Sequence, residues 1–149
     1  MSSLRLPIFP LGLVLFPGLS LPLHLFEARY RQLIADIGTT GRFGIVCSIP
    51  GVSERELPFG HAGCIAEVRE VEALPDGRSN IVVTGRERFT LEQFVNDPAP
   101  YHIADVLPFS DLPGPAPVAL VVAAGEVIAR FTRVISALRT LWECVIHQR

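Results

Sequence analysis

The sequence predicts a mainly β protein with α elements: a twisted β pseudo-barrel containing one inserted helix, followed by a long C-terminal α-helix. Three observations support this fold class. Short apolar or alternating runs bounded by proline and glycine recur over residues 11–109, as is typical of strands. Two stretches, near residue 30 and beyond residue 117, change to helical periodicity. The 149 residues, 49% hydrophobic and 19% charged, hold enough apolar material for one compact core.

Residues 6–26, LPIFPLGLVLFPGLSLPLHLF, have the length of a membrane span, with only Ser20 and His24 polar. Four prolines interrupt the segment, and each interior proline costs a helix about 3 kcal/mol. No cleavage site typical of a secretory signal follows. We therefore expect no membrane segment. We predict two buried strands, Leu11–Phe16 and Leu19–Leu25, at the edges and bends of a small barrel, where proline is tolerated.

A helix is predicted over residues 27–37. Glu27 is expected in its first turn, where the helix dipole favours an acid, and Gly38 supplies the stop. The apolar side chains that recur at helical offsets are Phe26, Tyr30, Leu33, Ile34 and Ile37.

The middle of the chain reads as a β meander. A polar loop is expected at 52–60, a hairpin turn at Pro75-Asp76-Gly77 and a bulge or kink at Gly85. The predicted strands cover residues 43–49, 64–74, 81–84, 89–91 and 101–109.

The C-terminal part is predicted to be a separate helical element. The domain organisation is a β domain at 1–110, a proline-rich linker at 111–117 (DLPGPAP) and a helix at 118–149, with helical periodicity from about 117 to 147. The apolar face of this helix is wider than one side of a small β body covers. It either docks fully on that body or mediates self-association as a homodimer, with Phe131, Leu138 and Trp142 as candidate contact residues.

Charge and cysteine content narrow the function classes. A net charge of −2 gives no global attraction to nucleic acid or anionic membranes. The three cysteines form no C-x-x-C pair, and we expect free thiols, a reducing compartment and a cytoplasmic location. No metal or cofactor is expected.

Catalytic signatures are missing from the sequence, and we expect no enzyme. Cys47 or Cys64 with His61 or His102 would make a thiol–imidazole pair, but Cys47 has the position of a core thiol. Three carboxylates near one another fit the solvent-facing side of a strand better than an acid–base pair: Glu67, Glu70 and Glu72.

Several motifs resemble the N-terminal domain of Lon proteases. An F-P-L-x-x-x-L-F-P-G start at residues 9–18 is followed by L-x-L-x-x-F-E-x-R-Y-R at residues 21–31, where alanine stands at position 28. The resemblance continues through FGIVC, GCIAEVREVEALPDGRSNIVVTGRERF and YHIADV. It covers about residues 4–109 and is similar to the stand-alone bacterial form that lacks the ATPase and protease domains.

The resemblance implies a PUA-like pseudo-barrel and a non-enzymatic module that binds unfolded or exposed polypeptide segments, as an adaptor or regulator in protein quality control. A peptide-binding surface is then expected near Leu25, Tyr30 and Leu33, whereas the motif residues Phe16 and Phe26 are expected in the core or at turns. Two alternatives stay open. One is a structural protein that associates through its C-terminal helix. The other is a PUA-like nucleic-acid binder using Arg69, Arg78, Arg86 and Arg88.

Overall fold

The computed structural model of the chain describes residues 2–110, 122–134 and 136. The chain divides into two compact units, Met1–Asp111 and Leu112–Arg149. In the first unit the elements in chain order are β1 (Leu4–Leu11), β2 (Ser20–Leu25), α1 (Ala28–Ile37), β3 (Arg42–Cys47), a 3₁₀ turn (Glu54–Glu56), β4 (Ala62–Ala73), β5 (Ser79–Val95) and β6 (His102–Phe109). In the second unit residues 122–134 are helical.

The strands form one mixed sheet that closes into a ring. β1 pairs in parallel with β3 and antiparallel with β6, while β3–β4, β4–β5 and β5–β6 are antiparallel pairs. β2 lies outside the ring, paired with residues 79–84 of β5. This arrangement is possible because β5 is 17 residues long, so that one half pairs with β2 and the other with β6. The predicted pseudo-barrel with one inserted helix is confirmed.

Two hydrophobic clusters lie on the two faces of this sheet. The ring cluster draws on all five ring strands: Ile8, Val46, Leu57, Ile65, Phe89, Leu91, Ala104 and Val106. Gly44 and Gly63 leave room for the Phe89 ring, since a Cβ at either position would lie within 3.0 Å of it. The second cluster adds side chains of β2 and α1 to the opposite face, among them Phe9, Leu25, Tyr30, Leu33 and Phe43.

The predicted helix is confirmed to within one residue, as α1. Its buried face is Tyr30, Leu33 and Ile34, and it ends at Gly38, whose φ of 74° is a conformation that glycine adopts readily. Glu27, however, precedes the first helical residue and makes no side-chain cap. Its carboxylate instead accepts a hydrogen bond from Arg29 Nε at 2.9 Å.

The first predicted strand is wrong, because the strand is Leu4–Leu11 and residues 12–19 form a loop. The prolines that suggested a corner are compatible with β1 for a physical reason. Pro7 lies in the half of β1 that pairs with β6, and Pro10 lies in the half that pairs with β3. In each half, one edge of the strand has no partner strand. A proline whose missing N–H would face that edge removes no hydrogen bond between strands.

The predicted pieces at 81–84 and 89–91 are one continuous strand, β5. The bulge expected near Gly85 is present. Cys64 and Ala66 of β4 are two positions apart, whereas their partners on β5, Arg88 and Gly85, are three positions apart. The predicted linker at 111–117 and the outer parts of the C-terminal helix lie outside the described residues. Among the helices that are described, none is long and apolar enough to cross a bilayer.

Candidate functional site

The loop between β1 and β2 presents an exposed apolar surface, which we call the loop patch: Leu13, Val14, Phe16 and Leu19. Val14, Phe16 and Leu19 each expose more than half of their surface, and Leu13 exposes 39%. Large apolar side chains clustered on one short loop are uncommon on the surface of a monomer and mark interaction sites.

The loop that carries this patch is held firmly. Leu15, between Val14 and Phe16, is buried in the second hydrophobic cluster. The Gly18 N–H donates to the Gly85 carbonyl at 2.9 Å, and the Gly85 N–H donates to the Leu19 carbonyl at 2.8 Å. The loop patch is therefore displayed by an anchored backbone, which lowers the entropy lost when a ligand binds.

A cleft and a groove adjoin the loop patch. The cleft, about 140 Å³, lies between Val14–Phe16 and the β3–β4 ladder at Ile45 and Cys64. The groove, about 390 Å³, lies on the other side, where Pro17 and Gly18 face Arg86 of β5. At its far end the Arg88 guanidinium lies 4.8 Å from the centroid of the Phe109 ring. The loop thus adjoins a mainly apolar cleft and a groove with a charged wall, and Arg88 lines both of them.

Three arginines from neighbouring strands share one carboxylate, that of Glu67. Arg86 Nη2 donates to Glu67 Oε1 at 2.5 Å, and Arg42 Nη2 donates to Oε2 at 2.8 Å. Arg69 Nη1 completes the set at 3.2 Å. These bonds, that from Arg86 foremost, lower the pKa of Glu67 to about 2, so the carboxylate is ionised at any physiological pH.

A second groove, about 250 Å³, lies beside Phe26, which is 62% exposed. Its polar wall is an ionic network in which the Arg29 guanidinium binds Glu54 through two hydrogen bonds of 2.6 and 3.0 Å. His102 Nε2 lies 2.9 Å from the same carboxylate. The hydrogen bond from Arg29 is the main reason that the pKa of Glu54 is lowered. The network ties α1, the 3₁₀ turn and β6 together and gives this groove a structural wall.

A third depression, about 390 Å³, lies on the outer side of β2, β5 and β4. Three of its polar side chains bind one another, since Asn80 Nδ2 donates to Glu72 at 2.8 Å and Asn80 Oδ1 lies 2.7 Å from His24 Nδ1. It lacks the exposed aromatic and aliphatic side chains of the loop patch. We therefore consider the loop patch the better candidate for an apolar ligand.

The residues predicted to bind a peptide are in the core. Leu25, Tyr30 and Leu33 are between 1% and 4% exposed, because α1 and β2 turn these side chains inward onto the sheet. Of the three, Tyr30 also lines the second groove, and it presents only this small fraction of its surface there. Phe16 and Phe26, in contrast, are not core residues. The signal that could have located the patch is the run LVLF between Gly12 and Pro17-Gly18, an apolar stretch inside a turn-rich segment.

The thiol–imidazole idea finds no geometry to support it. His61 Nε2 lies 2.8 Å from the backbone carbonyl oxygen of Cys47, and His102 is engaged with Glu54. Burial raises the pKa of the Cys64 thiol, the opposite of what a nucleophile needs. Within the described part of the chain no group of three or more His, Cys, Asp or Glu side chains could hold a metal ion.

Each of the four candidate arginines for nucleic acid already has an acidic or aromatic partner. Arg69 and Arg86 bind Glu67, and Arg88 stacks on Phe109. Arg78 is paired with Asp76 at the β4–β5 hairpin, 2.5 Å away.

The helical segment 122–134 carries apolar side chains that are 57–66% exposed: Val122, Val127, Ile128, Phe131 and Val134. Phe131 is thus an accessible side chain, as its predicted role in self-association requires. Leu138 and Trp142 lie outside the described residues.

Comparison with known proteins gives a consistent assignment. A family model described as the ATP-dependent protease La (LON) substrate-binding domain matches residues 5–144. A Lon protease from Flavobacterium johnsoniae is 31% identical over an alignment of 112 residues, which covers 71% of this chain and 13% of that protein. The chain therefore spans about an eighth of the length of this curated relative.

Two solved structures share the fold. The Lon N-terminal domain protein from Xanthomonas campestris has a TM-score of 0.60 and 26% identity, covering 75% of this chain and 66% of that one. The N-terminal domain of the Mycobacterium avium complex Lon protease has a TM-score of 0.63 over 96% of this chain and 73% of that one. At 18% identity, the second likeness bears on the fold alone.

Proposed function

Because the chain belongs to the Lon substrate-binding domain family, we propose that it binds exposed apolar segments of unfolded polypeptides through the loop patch, without hydrolysing them. The observation that carries this proposal is the anchored display of Val14, Phe16 and Leu19 beside an apolar cleft. In the proposed role the chain acts as an adaptor or regulator in protein quality control, in the cytoplasm.

The energetics fit a binder of modest affinity. Burial of a large apolar side chain contributes about 1.5–3 kcal/mol. Three such side chains, about 4.5–9 kcal/mol together, exceed the low end of the cost of association, about 4–15 kcal/mol, by at most about 5 kcal/mol. That surplus corresponds to dissociation constants of about 0.2 mM or weaker, so we expect binding no tighter than the high micromolar range, with many sequences accepted. Such affinities suit a module that samples unfolded chains.

The proposal is tested by titrating fluorescein-labelled casein, an unfolded protein, with the chain and following anisotropy. We expect saturable binding that is weakened about tenfold or more by the Phe16→Ser, Leu19→Ser double variant, since both side chains are exposed and their loss should leave the fold intact.

Phe59→Ser is the matched control. Phe59 is 81% exposed and lies outside the loop patch, so its loss should leave affinity unchanged. No measurable binding of casein at high micromolar protein, or equal losses in the patch variant and the control, would contradict the proposal.

A second role, self-association through the C-terminal segment, is favoured by the exposed apolar side chains of residues 122–134. In this proposal Phe131, with Leu138 and Trp142 further along the chain, contacts a second copy. It is compatible with polypeptide binding, because the loop patch belongs to the other compact unit. Binding of nucleic acid has less support, since each of the four candidate arginines is paired with an acidic side chain or stacked on an aromatic one.

A further inference from the structure

We propose that Arg42, Arg69 and Arg86, here called the arginine cluster, form an acidic-residue subsite beside the loop patch, so that the chain prefers apolar segments flanked by Asp or Glu. The inference rests on the proposed function and adds a substrate class to it. It is carried by the register that gathers three guanidinium groups on one carboxylate and by the position of one of them, Arg86, in the groove.

The strand register creates the cluster. Arg42 of β3 lies directly opposite Glu67 of β4, and Glu67 lies opposite Thr84 of β5, two residues before Arg86. Arg69 is the extra residue of a β-bulge, since Val68 and Glu70 pair with consecutive residues of β5. The three arginines therefore come from three adjacent strands and meet above Glu67.

Glu67 orients the arginines without neutralising them. One carboxylate faces three guanidinium groups, which leaves two formal positive charges in excess. The Glu67 side chain is 13% exposed, whereas the arginine side chains are 41–55% exposed. Each guanidinium has five N–H donors, and at most two from any one arginine are used on Glu67. The remaining N–H donors suit a ligand with carboxylate oxygens.

The cluster is continuous with the polypeptide surface. Arg86 lines the same groove as Pro17 and Gly18, at the foot of the loop patch. Glu87 also lines this groove and is close enough to Arg86 to affect its charge, yet one carboxylate does not offset the excess of two. A segment whose apolar side chains cover Phe16 would extend its next residues along a basic wall. Charge complementarity therefore selects acidic residues there.

The test uses three peptides with one apolar stretch, flanked on both sides by four Glu, four Gln or four Lys, with binding followed by anisotropy at low and high salt. We expect the Glu-flanked peptide to bind about three- to tenfold more tightly than the Gln-flanked one, the range of a few exposed ion pairs. High salt should remove the preference because it screens exposed charges.

Variants of the cluster should move the preference in opposite directions. The Arg69→Gln, Arg86→Gln double variant should bind the Glu- and Gln-flanked peptides equally, with affinity for the Gln-flanked peptide unchanged. Glu67→Gln removes the negative charge that the three arginines share and should strengthen the preference. Arg5→Gln is the matched control, because Arg5 is exposed and paired with Asp105 elsewhere. Thermal unfolding of each variant verifies that it is folded.

The outcomes separate this inference from the proposed function. Equal affinity for all three peptides would overturn the acidic preference and leave apolar binding in place. No binding of any peptide would overturn both. Salt-sensitive binding of a random single-stranded RNA that competes with the Glu-flanked peptide and is abolished by the double variant would assign the cluster to nucleic acid, and the inference would fall.

Discussion

A Cβ atom at Gly85 would lie 2.2 Å from the carbonyl oxygen of Phe16. Contact this close with a backbone atom means that the loop can lie on β5 only if residue 85 has no side chain. The two backbone hydrogen bonds that join Gly85 to Gly18 and Leu19 depend on the same approach. The exposed position of the loop patch therefore depends on Gly85, although Gly85 has no side chain with which to contact a ligand.

Gly85→Ala should therefore displace the loop. We expect a loss of about 1–3 kcal/mol in the free energy of unfolding, the usual cost of overpacking, together with weaker binding of casein. Urea denaturation measures the first effect and anisotropy the second. Gly12→Ala is the control, because no atom lies within 4 Å of a Cβ built there. Equal effects of the two substitutions would show that the close approach at Gly85 does not hold the loop.

Self-association is tested by light scattering over a range of protein concentrations. If residues 122–134 mediate it, Phe131→Glu should shift the mass from dimer to monomer, because a charge would be buried in an apolar contact. Phe59→Glu, on an exposed aromatic in the other unit, should change nothing. A wild-type chain that is monomeric throughout would contradict the prediction.

The loss of folding stability at acidic pH should depend in part on Glu67. Its pKa in the folded chain, about 2, is below its ordinary value of 4.5. The folded state therefore binds fewer protons between these pH values, and the contribution of Glu67 to stability is complete above about pH 4.5 and is lost as the pH falls towards 2. Glu67→Gln should be less stable than wild type at neutral pH and converge with it near pH 2.

Urea midpoints measured from pH 7 to pH 2 check this expectation. Glu70→Gln serves as the control, because Glu70 lies on the same strand and accepts no hydrogen bond from the residues that the structure describes. If the two glutamine variants show the same pH dependence, the arginine cluster does not stabilise the folded state through Glu67.

The buried face of α1 could be predicted from the sequence, whereas the exposure of the loop patch could not. Tyr30, Leu33 and Ile34 recur at helical spacing, and burial of that face follows from periodicity alone. The exposure of Phe16 does not follow from periodicity, since an apolar side chain in a loop is buried or exposed according to which strands lie beside it. Leu15 turns into the core and its neighbours turn out, and one-dimensional patterns do not separate them.

The arginine cluster could not be predicted from the sequence, for a related reason. Arg42 and Glu67 are 25 positions apart in sequence and meet through strand register. That register is shifted at Arg69 and again between Gly85 and Arg88, by bulges whose exact offsets depend on packing. Within the motif GRERF at residues 85–89, Arg86 binds Glu67 of β4, and the other two arginines of the cluster come from β3 and β4.

The two tyrosines of the core give a matched pair of side chains. Tyr30 and Tyr101 belong to the same hydrophobic cluster and are both less than 10% exposed. The Tyr101 hydroxyl donates to Asp36 Oδ2 at 2.7 Å. The buried Tyr30 hydroxyl has no hydrogen-bond partner among the described residues. Its ring instead packs on Phe9, with centroids 3.8 Å apart, and beneath the Arg29 guanidinium.

Removing the two hydroxyls should therefore have opposite effects. Tyr30→Phe keeps the ring contacts and removes an unsatisfied polar group, whose burial costs about 1–3 kcal/mol, so the free energy of unfolding should rise or stay level. Tyr101→Phe deletes a hydrogen bond to a carboxylate, worth about 1.5–3 kcal/mol, and should lower it. Urea denaturation of both variants decides the matter. A Tyr30→Phe variant destabilised as much as Tyr101→Phe would contradict this expectation and would mean that the Tyr30 hydroxyl has a hydrogen-bond partner in solution, such as an ordered water.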